Sequence, residues 1–288
     1  MPRRKRFERQ DPPPPMVMTE RDSHILETVY HYRALTQTHI QRLLFTDTSA
    51  TVPQRRLSLL YHNGYLERQA LPSIGGVVTS PIVYLLDRRG GEYLIQQRGY
   101  DEVRWKRSDN QVGHEFIEHR LMMNSFRIEV VLACQRLGLP LLDWQDDTTL
   151  SQDYDRVVVA GHKQPIPIVP DGYFAIQLPN GDKNHFFLEI DRGKMESKRF
   201  QRKVAGYISY AHSGQSERRF NTRKFRVLTV VLSAVRAANL QQATEKIGGQ
   251  QRFWFGVLDA LHAEAVLTEA VWSVAGRPAL APLLKIGE

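Results

Sequence analysis

Pro170-Asp171 and Glu189-Ile190-Asp191 place three carboxylates in a stretch that otherwise reads as two apolar strands, Ile166 to Leu178 and His185 to Asp191. Pro179-Asn180-Gly181-Asp182 between them reads as a hairpin turn. Side chains alternate along a strand, so Glu189 and Asp191 leave one face and Phe186, Leu188 and Ile190 the other. With Asp171 paired near Glu189, the carboxylates converge on one point beside a buried sheet. Like charges that close repel one another, and a hard divalent cation offsets the repulsion. The chemistry to expect is metal-dependent attack on a phosphodiester. The pairing carries a parity condition. Asp171 shares a face with Glu189 only if paired residue numbers sum to an even number, which needs an odd-residue loop or a bulge. A register centred between Asn180 and Gly181 would set Gly172 opposite Glu189 instead.

The composition is compatible with that target. The chain has 288 residues, a formal charge of +8 and 42% hydrophobic residues, enough for two domains with cores of their own. Much of the charge is local. Residues 3 to 9 hold Arg3, Arg4, Lys5, Arg6 and Arg9 against Glu8, and residues 192 to 226 hold eleven Lys/Arg against Glu196 and Glu217. The second cluster begins directly after the acidic residues, as a site for a phosphate backbone requires; a solvated basic helix face is the plainer alternative. No apolar run is long enough to cross a bilayer, and no membrane partner is expected. A single cysteine, Cys134, excludes an internal disulfide framework, fits the cytoplasm, and in its apolar helical context reads as core. Scattered histidines without a CxxC argue against zinc, and no Walker-type loop supports an ATP-driven motor.

The elements that must position these residues can be read in order. Residues 1–18 form a basic, proline-rich arm, expected to be disordered or extended. Thr19 caps a first helix, a second runs from about Thr36 to Leu44, and a third from about Ala50 to His62. Strand-like runs Tyr65–Leu71 and Pro81–Leu86 flank a turn at Gly75-Gly76. Three helices and a hairpin describe a winged helix-turn-helix over 19–99. Its third helix would read DNA through Gln54, Arg55, Arg56 and Ser58, residue types that pair with base edges or phosphates. A polar linker is expected over 100–112. The second domain, 113–288, opens with a helix from about Gly113 to Leu137 and continues α-β-β-β-α-β, an α/β (α+β) layer architecture. Its basic helix, roughly Met195 to His212, supplies Lys198, Arg199 and Arg202 as DNA contacts, with Arg192 and Lys194 just before it. Glu115 and Glu118, beside His114, read as the polar face of the opening helix.

Taken together, Arg21-Asp22…Ile25-Leu26, Leu35-Thr36…Ile40, Arg55-Arg56-Leu57…Leu60…Gly64-Tyr65-Leu66, Val83-Tyr84-Leu85, His114, Pro170-Asp171, Phe187-Leu188-Glu189-Ile190-Asp191-Arg192 and Lys203…Tyr207 carry a resemblance. The second domain resembles the PD-(D/E)xK, restriction-endonuclease-like superfamily. The chain resembles the replication-relaxation family of plasmid and mobile-element proteins over roughly residues 19 to 235. The resemblance implies Asp171 and Glu189 as ligands of Mg²⁺ or Mn²⁺, with Asp191 either a third ligand or the partner of a neighbouring base. It places the superfamily's lysine at position 191, where this chain has aspartate. Either that role has moved, to Lys203 first and Lys194 second, or catalysis has been lost. The function implied is a metal-dependent endonuclease or nickase acting in replication or DNA relaxation and transfer. The alternative is a non-catalytic DNA-binding accessory protein. Double-stranded DNA is the implied partner, with other plasmid replication or transfer proteins after it.

Overall fold

The computed structural model describes residues 6–46, 48–71 and 81–286. The chain divides into two compact units, Met1–Ser125 and Phe126–Glu288.

In the first unit Thr19 caps α1 (Glu20–Tyr32) in a reciprocal capping box: the Thr19 side chain accepts from the Asp22 amide, and Asp22 accepts from the Thr19 amide at 2.8 Å. The short β1 (Leu35–Thr36), α2 (Gln37–Leu44), α3 (Thr51–His62), β2 (Leu66–Ala70), β3 (Ile82–Leu86) and α4 (Arg88–Arg98) follow. The strands form an antiparallel sheet in the order β1-β3-β2. Ile25, Leu26, Val29, Ile40, Leu57, Leu60, Leu66 and Val83 are fully buried between helices and sheet. The unit is thus a small helical and β-sheet domain in which α1, α2 and α3 precede the β2–β3 antiparallel pair. The wing tip assigned to Gly75-Gly76 lies outside the described residues.

Two sequence expectations change here. The arm does not trail free over its described part: Arg9 donates to the carbonyls of Tyr61 and Leu66, each at 2.9 Å, and pairs with Asp87. The stretch expected as a linker over 100–112 is packed on the sheet. Asn110, buried, donates to Glu67 at 2.7 Å and to the Leu86 carbonyl at 2.9 Å, and accepts from the Trp105 indole at 3.1 Å. Polar residues there satisfy sheet groups, which hydropathy alone reads as solvent exposure. The units divide later, within α5 (His114–Leu137).

The second unit holds the remainder of α5, β4 (Leu141–Asp146), α6 (Asp147–Gln152), β5 (Arg156–Val157), β6 (Ile166–Pro167), β7 (Gly172–Gln177) and β8 (Lys183–Asp191). After these come α7 (Ser197–Ser213), α8 (Gln215–Phe220), β9 (Phe225–Val231), α9 (Ala234–Glu245), β10 (Phe253–Val257) and β11 (Ser273–Val274). The main sheet runs β11-β10-β9-β8-β7-β4. β4, β7 and β8 form an antiparallel meander, and β8, β9 and β10 run parallel through the crossovers that carry α7 and α9. The α5-β4-β7-β8-α7-β9 path is the expected α-β-β-β-α-β order. The run Ile166–Leu178 is two strands rather than one. Pro167 and Pro170 cannot donate to a ladder, so β6 pairs separately with β5 and β7 starts at Gly172.

Phe187 is the centre of the core on the α7 face, with Tyr210, Phe220 and Phe225 at ring distances of 6.1, 5.0 and 4.8 Å. On the opposite face Phe174 packs on Phe186 and on Phe126 of α5. Cys134 of α5 is buried, and burial pushes its thiol up to about 11, which suits a core residue. α7 lies close against the β6 region because it has glycine at 206, where a Cβ would come within 3.0 Å of Ile166. Phe187→Ala should therefore cost about 3–5 kcal/mol of stability, measured as a lower urea midpoint at unchanged slope.

Candidate functional site

Between β7 and β8 the pairing runs from Gly172↔Leu188 to Gln177↔Lys183. Residues 178–182 thus form the loop, an odd number of residues closed by hydrogen bonds from Leu178 to Asp182 (2.8 Å) and from Gly181 to Leu178 (2.9 Å). The parity condition is met. Continuing the register one step sets Asp171 opposite Glu189, and the Ile190 amide donates to the Asp171 carboxylate at 2.6 Å.

Glu189 points toward α7. Its side chain is only 5% exposed, and two residues of α7 reach it: Lys203 donates to Oε2 and the Tyr207 hydroxyl to Oε1 at 2.6 Å. Lys203 and Tyr207 are four apart on one helix face, so one element delivers both. Burial pushes the Glu189 carboxyl above its ordinary value, Lys203 pulls it back, and the Asp171 charge pushes it up again. For Lys203, burial acts to lower the ammonium, but Glu189 and Asp171 more than offset it and hold it above the usual lysine value. Burial, then the Glu189 charge, push the Tyr207 phenol well up. Both α7 groups are thus donors at neutral pH.

Asp191 is not part of this group. The residue, 2% exposed, is held by Arg236 of α9 through Nε at 3.0 Å and NH2 at 2.8 Å, and by the Gly193 amide at 2.6 Å. Gly193 has φ 86, a conformation that glycine adopts without strain. Arg236 also donates to the Met195 carbonyl at 2.5 Å, so it ties down the loop leading into α7. Asp191, expected either as a third ligand or as the partner of a base, is one half of a bidentate ion pair with Arg236. Among the described residues no three His, Cys, Asp or Glu side chains cluster as a metal site.

The donors present nonetheless suit one class of ion. Mg²⁺ keeps several waters and needs only one or two carboxylates, which Asp171 and Glu189 could supply. Thr229 of β9 stands beside Glu189 in the parallel register, and its hydroxyl is buried with no hydrogen-bond partner among the described residues. An unsatisfied oxygen next to an acidic pair fits a hydrated cation and does not fit zinc, which prefers nitrogen and sulfur donors. Lys198, Arg199 and Arg202 are exposed on α7, Lys194 is exposed before it, and Arg192 is half-buried. Arg199 is close enough for its charge to act on Lys203.

In the first unit Gln54 and Arg55 are exposed on α3 and Ser58 is half-buried. Arg56 departs from its expected DNA-reading role. Its guanidinium is bidentate on Asp22, whose side chain is fully buried, with Nε at 2.8 Å from Oδ1. The capping box of α1 and the orientation of α3 share that one carboxylate. Glu115 and Glu118, at the start of α5, belong to the first unit.

The second unit has the α-β-β-β-α-β order expected of a restriction-endonuclease-like domain, and it follows a small helical and β-sheet domain. The chain belongs to the replication-relaxation family, which it matches over residues 26–224. No curated protein matches it. Among solved structures, that of the restriction endonuclease FokI aligns at 14% identity and a TM-score of 0.26, over 84% of this chain and 42% of that one. The chain spans less than half of that protein. No helix among the described residues is long and apolar enough to cross a membrane.

Two contributors, Thr229 and Arg236, escaped the sequence reading, and a third, Tyr207, was named there without a role. Tyr207 was marked by its spacing from Lys203. Thr229 was visible as the lone hydroxyl in the apolar run Val227–Val231. Arg236 had no local signal, since it reaches Asp191 across 45 positions. Arg236→Ala should leave a buried carboxylate unpaired and cost roughly 3–5 kcal/mol. Adding Asp191→Asn should recover part of that loss in urea denaturation, whereas additive losses would show that the pair is not the source.

Proposed function

We propose that this protein is a metal-dependent DNA endonuclease or nickase that acts in the replication or relaxation of plasmid or mobile-element DNA. The observation that carries the reading is the meeting of Asp171, Glu189 and Lys203. Asp171 and Glu189 would hold Mg²⁺ or Mn²⁺. Bound there, the ion would polarise a scissile phosphate and lower the pKa of an attacking water. Lys203, held protonated by its carboxylate neighbours, serves as a cation that orients water and stabilises charge on the phosphate, not as a general base. It thus takes the part that the superfamily assigns to position 191. Tyr207 fixes the Glu189 rotamer. Lys194, Lys198, Arg199 and Arg202 contact the phosphate backbone as positioning charges, and the winged helix of the first unit binds double-stranded DNA through Gln54, Arg55 and Ser58.

A second reading has one observation in its favour. Both Glu189 oxygens already have internal partners, as they would in a domain retained for binding alone. Supercoiled plasmid incubated with protein and Mg²⁺ or Mn²⁺ separates the two. The enzyme should produce open circles, and Asp171→Asn and Glu189→Gln should each abolish them. Lys203→Met should slow nicking by about 10²-fold or more with DNA affinity retained. Plasmid that stays supercoiled with both metals, while DNA binding is intact, would establish the non-catalytic reading.

A further inference from the structure

The described part of the N-terminal arm is clamped along α3 at successive points. Arg68 of β2 donates to the Arg6 carbonyl at 3.5 Å. Arg9 clasps the carbonyls of Tyr61 and Leu66 together with Asp87. The Gln10 amide meets His62 Nδ1 at 3.1 Å, Asn63 donates to the Pro14 carbonyl at 3.0 Å, and Arg56 donates to the Val17 carbonyl at 3.1 Å. Most of these contacts engage arm backbone, so the course of the arm is fixed while its side chains remain available. α3 is about 18 Å long, and the contacts reach from its middle, at Arg56, past its end at Asn63.

Beside the clamped arm, Gln10 and Pro14 form one wall of an open groove. Thr51, Gln54, Arg55, Ser58, Leu59 and His62 of α3 form the other. Gln54, Ser58 and His62 repeat every four residues, a single helix face. Among the described residues no acid lines the groove, and apart from Pro14 and Leu59 its side chains are those that hydrogen-bond base edges and phosphates. The cations nearby sort into two kinds. Arg9 and Arg56 are neutralised by Asp87 and Asp22, whereas Arg6 and Arg55 are exposed.

We propose that the arm and α3 together form one composite surface for double-stranded DNA. Gln10 and His62 extend the reading face of Gln54, Arg55 and Ser58, and Arg6 supplies a phosphate contact beyond the end of the helix. Arg9 is a positioning residue that holds the arm in line. The proposal rests on the reading that α3 binds DNA. It adds that the arm is a working edge of that surface, neither a passive strap nor a cover over it.

Fluorescence anisotropy of the full chain with a labelled duplex, in EDTA so that no cleavage intervenes, tests this. Arg6→Ala with Gln10→Ala should weaken binding by about 5- to 30-fold and lower the logarithmic salt slope by about one. Arg9→Lys keeps the charge but cannot make the three-acceptor clasp; it too should weaken binding, at an unchanged far-UV circular dichroism spectrum. Arg55→Ala reports separately on α3. If Arg55→Ala weakens binding while the arm variants leave affinity and slope unchanged, the arm is only a strap and the proposal fails. Tighter binding by the arm variants would make the arm a cover and overturn it equally. If Arg55→Ala also has no effect, the reading of α3 itself fails.

Discussion

The β7–β8 register is the constraint on which the candidate site depends. Side chains alternate with period two, so an even-residue loop would send the Asp171 carboxylate to the face opposite Glu189. The loop at 178–182 has five residues, and the paired positions therefore bring Asp171 and Glu189 to one side. Everything else follows from that side being the α7 side. Phe187 on the same face anchors the aromatic core, and the helix packed over that core carries Lys203 and Tyr207 down onto Glu189. The site's geometry and the domain's packing are thus set by one hairpin.

How far this could be read beforehand differs by residue. The opposition of Asp171 and Glu189 was available as a condition on loop length, because parity depends only on numbering. Lys203 was reachable because a helix following β8 must lie back across the sheet, and its four-residue spacing from Tyr207 shows that the two share a face. The helix start at Thr19 was legible from capping chemistry that acts within three residues. What was not legible depends on groups distant in the chain. Asn110, Arg9 and Arg56 are polar residues with buried or half-buried partners 24 to 78 positions away, and local composition assigns all of them to solvent.

Asp191 shows what a change of residue type does at a buried position. A lysine there would offer its ammonium to the acidic pair. An aspartate beside Glu189 would add like charge to an enclosed site, at a cost set by the low dielectric. The structure meets that cost with Arg236, whose planar guanidinium matches the carboxylate bidentately. The cation at the acidic pair comes instead from Lys203 on α7. The cation that accompanies position 191 and the cation that meets Glu189 are thus on different elements, and each is matched to one acid.

The same pairing logic corrects the meaning of the overall charge. A formal +8 suggests a broadly cationic surface, yet several arginines are tied to internal partners. Arg56 and Asp22 join α3 to the cap of α1, Arg98 joins α4 to Glu20 and Glu27 of α1, and Arg236 joins α9 to β8. These act as rivets: the planar fork reaches two acceptors at once, and removing one would strand a buried or half-buried carboxylate. The charge left for a polyanion is smaller and more localised than composition implies. Among the described residues it includes Lys198, Arg199 and Arg202 on the solvent side of α7, Arg55 of α3, and Arg6 of the arm past the end of that helix.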